Sequence, residues 1–121
     1  HSAIYAYNPN LLEFFFLDGQ VRPAVEIPNN TDQWYHCVMV NDFTAPQFRI
    51  YIDGELVSTT DGFAAPGTGN LIVVGGSDQG DNFNGYIDEV AIYDHALSED
   101  RIQAHLEAAI NPVSVGNWSL Y

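Results

Sequence analysis

The sequence predicts an all-β protein: an antiparallel β-sandwich with one short helix towards its C-terminal side. Three observations predict it. Short apolar runs recur along the chain, separated by Asn, Asp, Gly and Pro, the pattern of strands joined by tight turns. Helical stretches do not alternate with these runs, so the βαβ units of a parallel sheet are excluded. Only residues 98–110 place apolar side chains at helical spacing.

The elements follow in order. Residues 3–7 are apolar and aromatic and stop at Asn8-Pro9-Asn10. Residues 11–17 end at Asp18-Gly19, a dipeptide suited to a tight turn. Residues 20–27 are interrupted by Pro23, which cannot donate to a ladder and so marks an edge strand or a break. A loop over 28–32 leads to a strand at 34–40 and a turn at 42–46. Within 48–52, Phe48, Ile50 and Ile52 alternate with Arg49 and Tyr51, the period of a half-buried strand. Asp53-Gly54 closes a hairpin into 55–60. After a Gly/Pro-rich loop over 61–70, residues 71–74 read as a short strand, 75–84 as a polar loop and 86–93 as the last strong strand. Ser98 is a good N-cap, and Glu99 and Asp100 suit the first turn of a helix. Ile102, His105, Leu106 and Ala109 share its face, and Asn111-Pro112 ends it. Residues 113–121 alternate weakly and are a candidate final strand.

The chain has 121 residues, the size of one domain. Hydrophobic residues make up 46%, which excludes intrinsic disorder, and no apolar run is long enough to span a bilayer as a helix. The charge is strongly one-sided. Sixteen acidic residues face three arginines (Arg22, Arg49 and Arg101) and no lysine, for a net charge of −13. Binding nucleic acid requires phosphates to be neutralised by Lys or Arg, so nucleic acid is excluded as a partner. Anionic lipid and sulfated glycans are disfavoured on the same ground. Neutral sugars, cations and protein surfaces remain, and such a surface suits a saline or calcium-rich setting. The chain opens on His1 without a charged n-region or apolar h-region, so it reads as a processed product or a piece of a longer polypeptide.

Three blocks carry a resemblance. The first is Gln33-Trp34-Tyr35-His36-Cys37-Val38-Met39-Val40. The second is Arg49-Ile50-Tyr51-Ile52-Asp53-Gly54-Glu55-Leu56-Val57. The third runs from Phe83-Asn84-Gly85-Tyr86-Ile87-Asp88-Glu89-Val90-Ala91-Ile92-Tyr93-Asp94 into Ala96-Leu97-Ser98-Glu99-Asp100-Arg101-Ile102. In order and spacing they resemble the laminin-G-like domains of the concanavalin A-like lectin/glucanase superfamily. The resemblance covers roughly residues 11–107 and implies a jelly-roll sandwich of two antiparallel sheets. Two features depart from the pattern. Tyr35 stands where the family's first histidine would be, and the opening strands have no counterpart before Leu11. The expected organisation is therefore an N-terminally incomplete laminin-G-like sandwich over 1–110 and a tail over 111–121 that is a candidate extra strand. Such an arrangement leaves open sheet edges, through which the chain could self-associate.

Catalytic constellations are absent from the sequence. Asp88 and Glu89 are adjacent, so in a regular strand they point to opposite faces and cannot flank a sugar bond as glycosidase carboxylates do. His1, His36, His95 and His105 are scattered without metal-ligand spacing. His36 reads as a core or edge histidine and Cys37 as an inert buried thiol. Asp78, Asp81, Asn82, Asn84 and Asp88 form an oxygen-rich stretch of the type calcium prefers. The resemblance implies a structural calcium at one end of the sandwich, with Asp88 among its ligands. An EF-hand is rejected, because Gly80 stands at its first ligand position. Alternation places Phe15 on the wetter face of its strand and Tyr51 opposite Ile50 and Ile52, so both are expected to be exposed and able to stack on a sugar ring. Asn29-Asn30-Thr31 and Asn117-Trp118-Ser119 match the N-glycosylation pattern.

The expectation is a non-catalytic module, extracellular or on a cell surface, that binds a carbohydrate or protein surface in adhesion. The alternative is a structural subunit of a surface filament, a capsid decoration or a spike, favoured by the incomplete sandwich and the strand-like tail. A glycoside hydrolase fragment is a distant third and needs a carboxylate pair from another segment. Neither nucleic acid nor membrane insertion is expected.

Overall fold

The computed structural model describes the backbone and pairing of residues 2–8, 11–16 and 24–28, and the full structure of residues 32–62, 73–76, 80 and 82–111. The first sheet holds β1 (Ser2–Asn8), β2 (Leu11–Phe16) and β3 (Ala24–Pro28) in that order. Both pairings are antiparallel, with Ile4 and Val25 each opposite Phe14. β3 begins directly after Pro23 and ends at Pro28 on the rim of the sheet, where a residue without an N–H disturbs the ladder least.

The second sheet holds β4 (Cys37–Asp42), β5 (Gln47–Ile52) and β6 (Glu55–Asp61), again antiparallel and in chain order. β4 starts later than the apolar run suggests, so Trp34, Tyr35 and His36 precede the ladder. In the β4–β5 turn, Asp42 Oδ1 accepts from Thr44 N (2.9 Å), Thr44 Oγ1 (2.8 Å) and Ala45 N (3.1 Å). Arg49 Nη2 donates to Oδ2 at 3.2 Å. The Ala45 N–H, then the Thr44 donors, and last Arg49 hold this carboxyl below the usual carboxylate range. The β5–β6 hairpin turns on Asp53 (φ 50°) and Gly54 (φ 78°). Both lie in the left-handed region that a two-residue hairpin loop requires.

β5 is the centre of the described core. Phe48 and Ile50 are fully buried on one face. On the other, Tyr51 packs with Val40, Leu97 and Ile102, flanked by Val38 and Ala96. Alternation alone places Tyr51 in solvent, but it is only 1% exposed, because the helix covers that face. This helix, α1 (Glu99–Ile110), starts where the sequence expects. Ser98 is extended at the cap and accepts from Arg101 N, and the Asn111 N–H closes the far end on Glu107 O at 2.8 Å. Ile102 is its fully buried anchor; burying such a side chain stabilises by about 1.5–3 kcal/mol. Tyr51 Oη donates to Glu99 Oε1 at 3.2 Å, and Gln103 Nε2 donates to Gly54 O at 2.7 Å.

Among the described residues, Val73-Val74 and the segment 86–93, both expected in strands, are in no ladder. Val73 and Val74 lie exposed outside any ladder, and a single bridge joins Gly76 to Asn82. Residues 86–93 are also unpaired among the described residues. Glu89 has a φ of 51°, and its N–H is taken by Asp88 Oδ1 at 2.8 Å. A left-handed residue breaks the two-residue period, and a side chain that captures a backbone N–H competes with a ladder. The described strands form two three-stranded sheets, with β3 passing close to β6. Leu71, Ile72 and the tail 113–121 lie outside the described residues.

Gly54 and Gly80 both have positive φ, but their surroundings differ. A Cβ on Gly54 would stand 2.7 Å from Gln103 Nε2 and 2.9 Å from Leu106 Cδ2, whereas one on Gly80 meets nothing within 4 Å. Gly54→Ala is expected to destabilise by about 2–3 kcal/mol, from the positive φ and the displaced Gln103 bond, and Gly80→Ala by about 1–2 kcal/mol, read from urea midpoints. Equal losses would mean that the helix gains nothing from this close approach.

Candidate functional site

Two irregular segments flank the packed scaffold of β4, β5, β6 and α1. One is 32–36, which leads into β4, and the other is the ribbon 83–97, which leads into α1. The first is pinned by a reciprocal pair of bonds: His36 N donates to Asp53 Oδ1, and Asp53 N donates to His36 O, both at 2.8 Å. The second is held at its far end by rings. Tyr93 lies tilted against His105 at 5.7 Å and edge-on to His95 at 5.9 Å.

The segments meet at Trp34 and Tyr86, whose ring centroids are 6.5 Å apart with planes tilted by 43°. Trp34 is 64% exposed and Tyr86 87%. Ile87, Val90 and Ile92 continue the exposed apolar surface along the ribbon. The same segments carry exposed carboxylates at Asp32, Asp88 and Glu89. Exposed apolar side chains in a row along a kinked ribbon are unusual for a settled monomer surface.

The electrostatics of the neighbouring groups follow from burial. Desolvation lowers the His36 pKa, reinforced by His105 and opposed by Asp53 and Glu89, so the ring is neutral at pH 7. Its Nδ1 is buried without a hydrogen-bond partner among the described residues. Asp94 accepts from His95 Nδ1 at 2.8 Å, and this bond and charge lower its pKa.

The residues singled out from sequence fare unevenly. Tyr51 is buried in the core and hydrogen-bonded to Glu99, so it offers no face to a ligand. Phe15 sits in β2 opposite Ala3 and Ala24. Asp78, Asp81, Asn29 and Asn117 lie outside the described residues. Asn82, Asn84 and Asp88 are exposed, and one Asp88 oxygen is engaged by the Glu89 N–H. Among the described residues no three His, Cys, Asp or Glu side chains gather closely enough to hold a metal. The described part of the oxygen-rich stretch therefore does not by itself provide the six to eight ligands of a calcium shell. Sequence reasoning missed the Trp34–Tyr86 pair, because the two residues are far apart in the chain and each reads as a strand residue.

Residues 6–103 match the family described as the concanavalin A-like lectin/glucanases superfamily. The chain belongs to this family. A rat (Rattus norvegicus) protein, "Sushi, von Willebrand factor type A, EGF and pentraxin domain-containing protein 1", is 29% identical over 99 residues, covering 73% of this chain and 3% of that protein. An S-layer domain-containing protein from Clostridium thermocellum ATCC 27405 (residues 221–444) superposes with a TM-score of 0.56 at 19% identity, over 88% of this chain and 61% of that one. This second likeness is one of fold. The chain thus spans a small fraction of the curated relative and about three-fifths of the solved one. Concanavalin A-like domains include both lectins and glucanases by name, so family membership alone does not decide between binding and catalysis.

Cys37 is the lone thiol. Burial first, and the Asp53 charge second, push its pKa up to about 12, so it is protonated at neutral pH and is not a nucleophile. At pH 7.5 a disulfide reagent is expected to label Cys37 at least tenfold more slowly in the native domain than in 6 M urea; equal rates would show an accessible, reactive thiol.

Proposed function

We propose that this concanavalin A-like domain is a non-catalytic binding module that engages a carbohydrate or protein surface outside the cell or at its surface. The observation that carries the reading is the exposed aromatic and apolar ribbon, Tyr86 to Tyr93 with Trp34, displayed on a packed scaffold. The family is named for lectins as well as glucanases, and a protein of similar fold is an S-layer domain-containing protein, in keeping with a surface location. The acidic pair at 88–89 supports binding over hydrolysis. Glu89 is in the left-handed region and Asp88 binds the Glu89 N–H, a local turn and not two carboxylates set across a bond. The two three-stranded antiparallel sheets are read as parts of a jelly roll.

The domain should retain ligands in a screen of immobilised glycans and extracellular-matrix proteins, and release no reducing sugar from the glycans it retains. Release of sugar, lost in Asp88→Asn or Glu89→Gln, would make it a glycoside hydrolase. Retention of nothing, with large polymers in light scattering, would make it a structural subunit.

Calcium is proposed as a structural cofactor of the 78–88 stretch, where Asp78 and Asp81 would add carboxylates to Asn82, Asn84 and Asp88. The expected outcome is a Tm higher by several degrees in millimolar calcium than in chelator, diminished in Asp81→Asn. Coincident melts would remove calcium from the description.

A further inference from the structure

We propose that Trp34 and Tyr86 form a site for a cationic side chain, lysine or arginine, presented by a basic segment of a partner protein. This inference rests on the binding-module reading above and selects the protein arm of it.

The geometry comes first. Two aromatic rings meet with centroids 6.5 Å apart and planes tilted by 43°, and both remain mostly in solvent, so the surfaces they do not turn to each other are open to a ligand. Aromatic faces attract a cation within about 6 Å of the centroid, so a cation resting on the exposed surface of this pair is attracted by the ring it covers and lies near the second. The pair is anchored on each side: Trp34 lies two residues from the His36–Asp53 bond pair, and the ribbon of Tyr86 ends on the Tyr93–His105 contact.

Charge selects the occupant. The chain carries a net charge of −13 with no lysine. Of the two arginines among the described residues, Arg49 is engaged by Asp42, and Arg101 lies on the helix. The segments that carry the two rings themselves bear Asp32, Asp88 and Glu89, all exposed. Such a field steers cations inwards and repels polyanions, whereas a neutral saccharide makes no use of it. The exposed Ile87, Val90 and Ile92 suit the aliphatic stems that Lys and Arg lay along apolar surface.

The test uses the intact chain and three probes in calorimetric titration: a nona-arginine peptide, a nona-glutamate peptide and a neutral glucose hexasaccharide. Nona-arginine is expected to bind, and more weakly as salt rises. Trp34→Ala and Tyr86→Leu leave net charge unchanged and are each expected to weaken binding roughly twofold to fivefold. Tyr86→Phe, which keeps the ring, should bind as the parent does. All variants are checked for an unchanged Tm, which the exposure of both residues favours. Arginine binding that is indifferent to ring removal would reduce the effect to diffuse electrostatics and overturn the site. Ring-dependent binding of the hexasaccharide without arginine binding would overturn the cationic occupant and leave the binding-module reading standing. Binding of neither probe would overturn the site, while the screen of glycans and matrix proteins judges that reading separately.

Discussion

The docking of α1 on β5 is the constraint on which the described structure depends. A three-stranded meander needs a covered face to persist in water. Here Ile102, Leu97, Val40 and Tyr51 provide one on the helix side. Removing the helix would leave Tyr51 and Val40 wet and the Gly54 carbonyl without the Gln103 donor. The fit also suits the glycine. Residue 54 turns with positive φ, and a Cβ there would press on the side-chain ends of Gln103 and Leu106, so a residue without a Cβ serves both the turn and the approach of the helix best.

The exposed ribbon inherits its position from that docking. The ribbon 83–97 runs directly into the N-cap of α1, so fixing Leu97 and Ile102 fixes the ribbon's end. Trp34 is placed from the other side, because the Asp53 that turns the hairpin also binds His36. One hairpin thus organises both the core and the approach of Trp34 to Tyr86. Burial keeps the internal polar groups quiet: His36 is held neutral and Cys37 protonated. The chemistry left to the exterior is that of carboxylates and aromatic rings.

Much of the fold was legible because local signals agreed with the final packing. Asp53-Gly54 has a single good turn to make, Ser98 and Asn111 bracket a helix, and Pro23 marks the start of β3. Local sequence does not show which face of an element a distant segment covers. Tyr51 alternates with Ile50 and Ile52, which predicts an exposed ring, but a helix almost fifty residues away covers that face. Residues 86–93 have the composition of a strand, yet they pair with no other described residue, and at Glu89, whose N–H is held by Asp88, the backbone leaves the extended region. The candidate site was less legible than the fold. Trp34 and Tyr86 each resemble core residues, and nothing local signals that their rings meet.

The sequence by itself determined the family, the antiparallel sheets, the hairpin, the helix and the one-sided charge, because each rests on residues that are neighbours in the chain or on composition. Tertiary structure decided which aromatic side chains are buried and which face water. That depends on what packs against each element, and the covering segment lies far away in sequence.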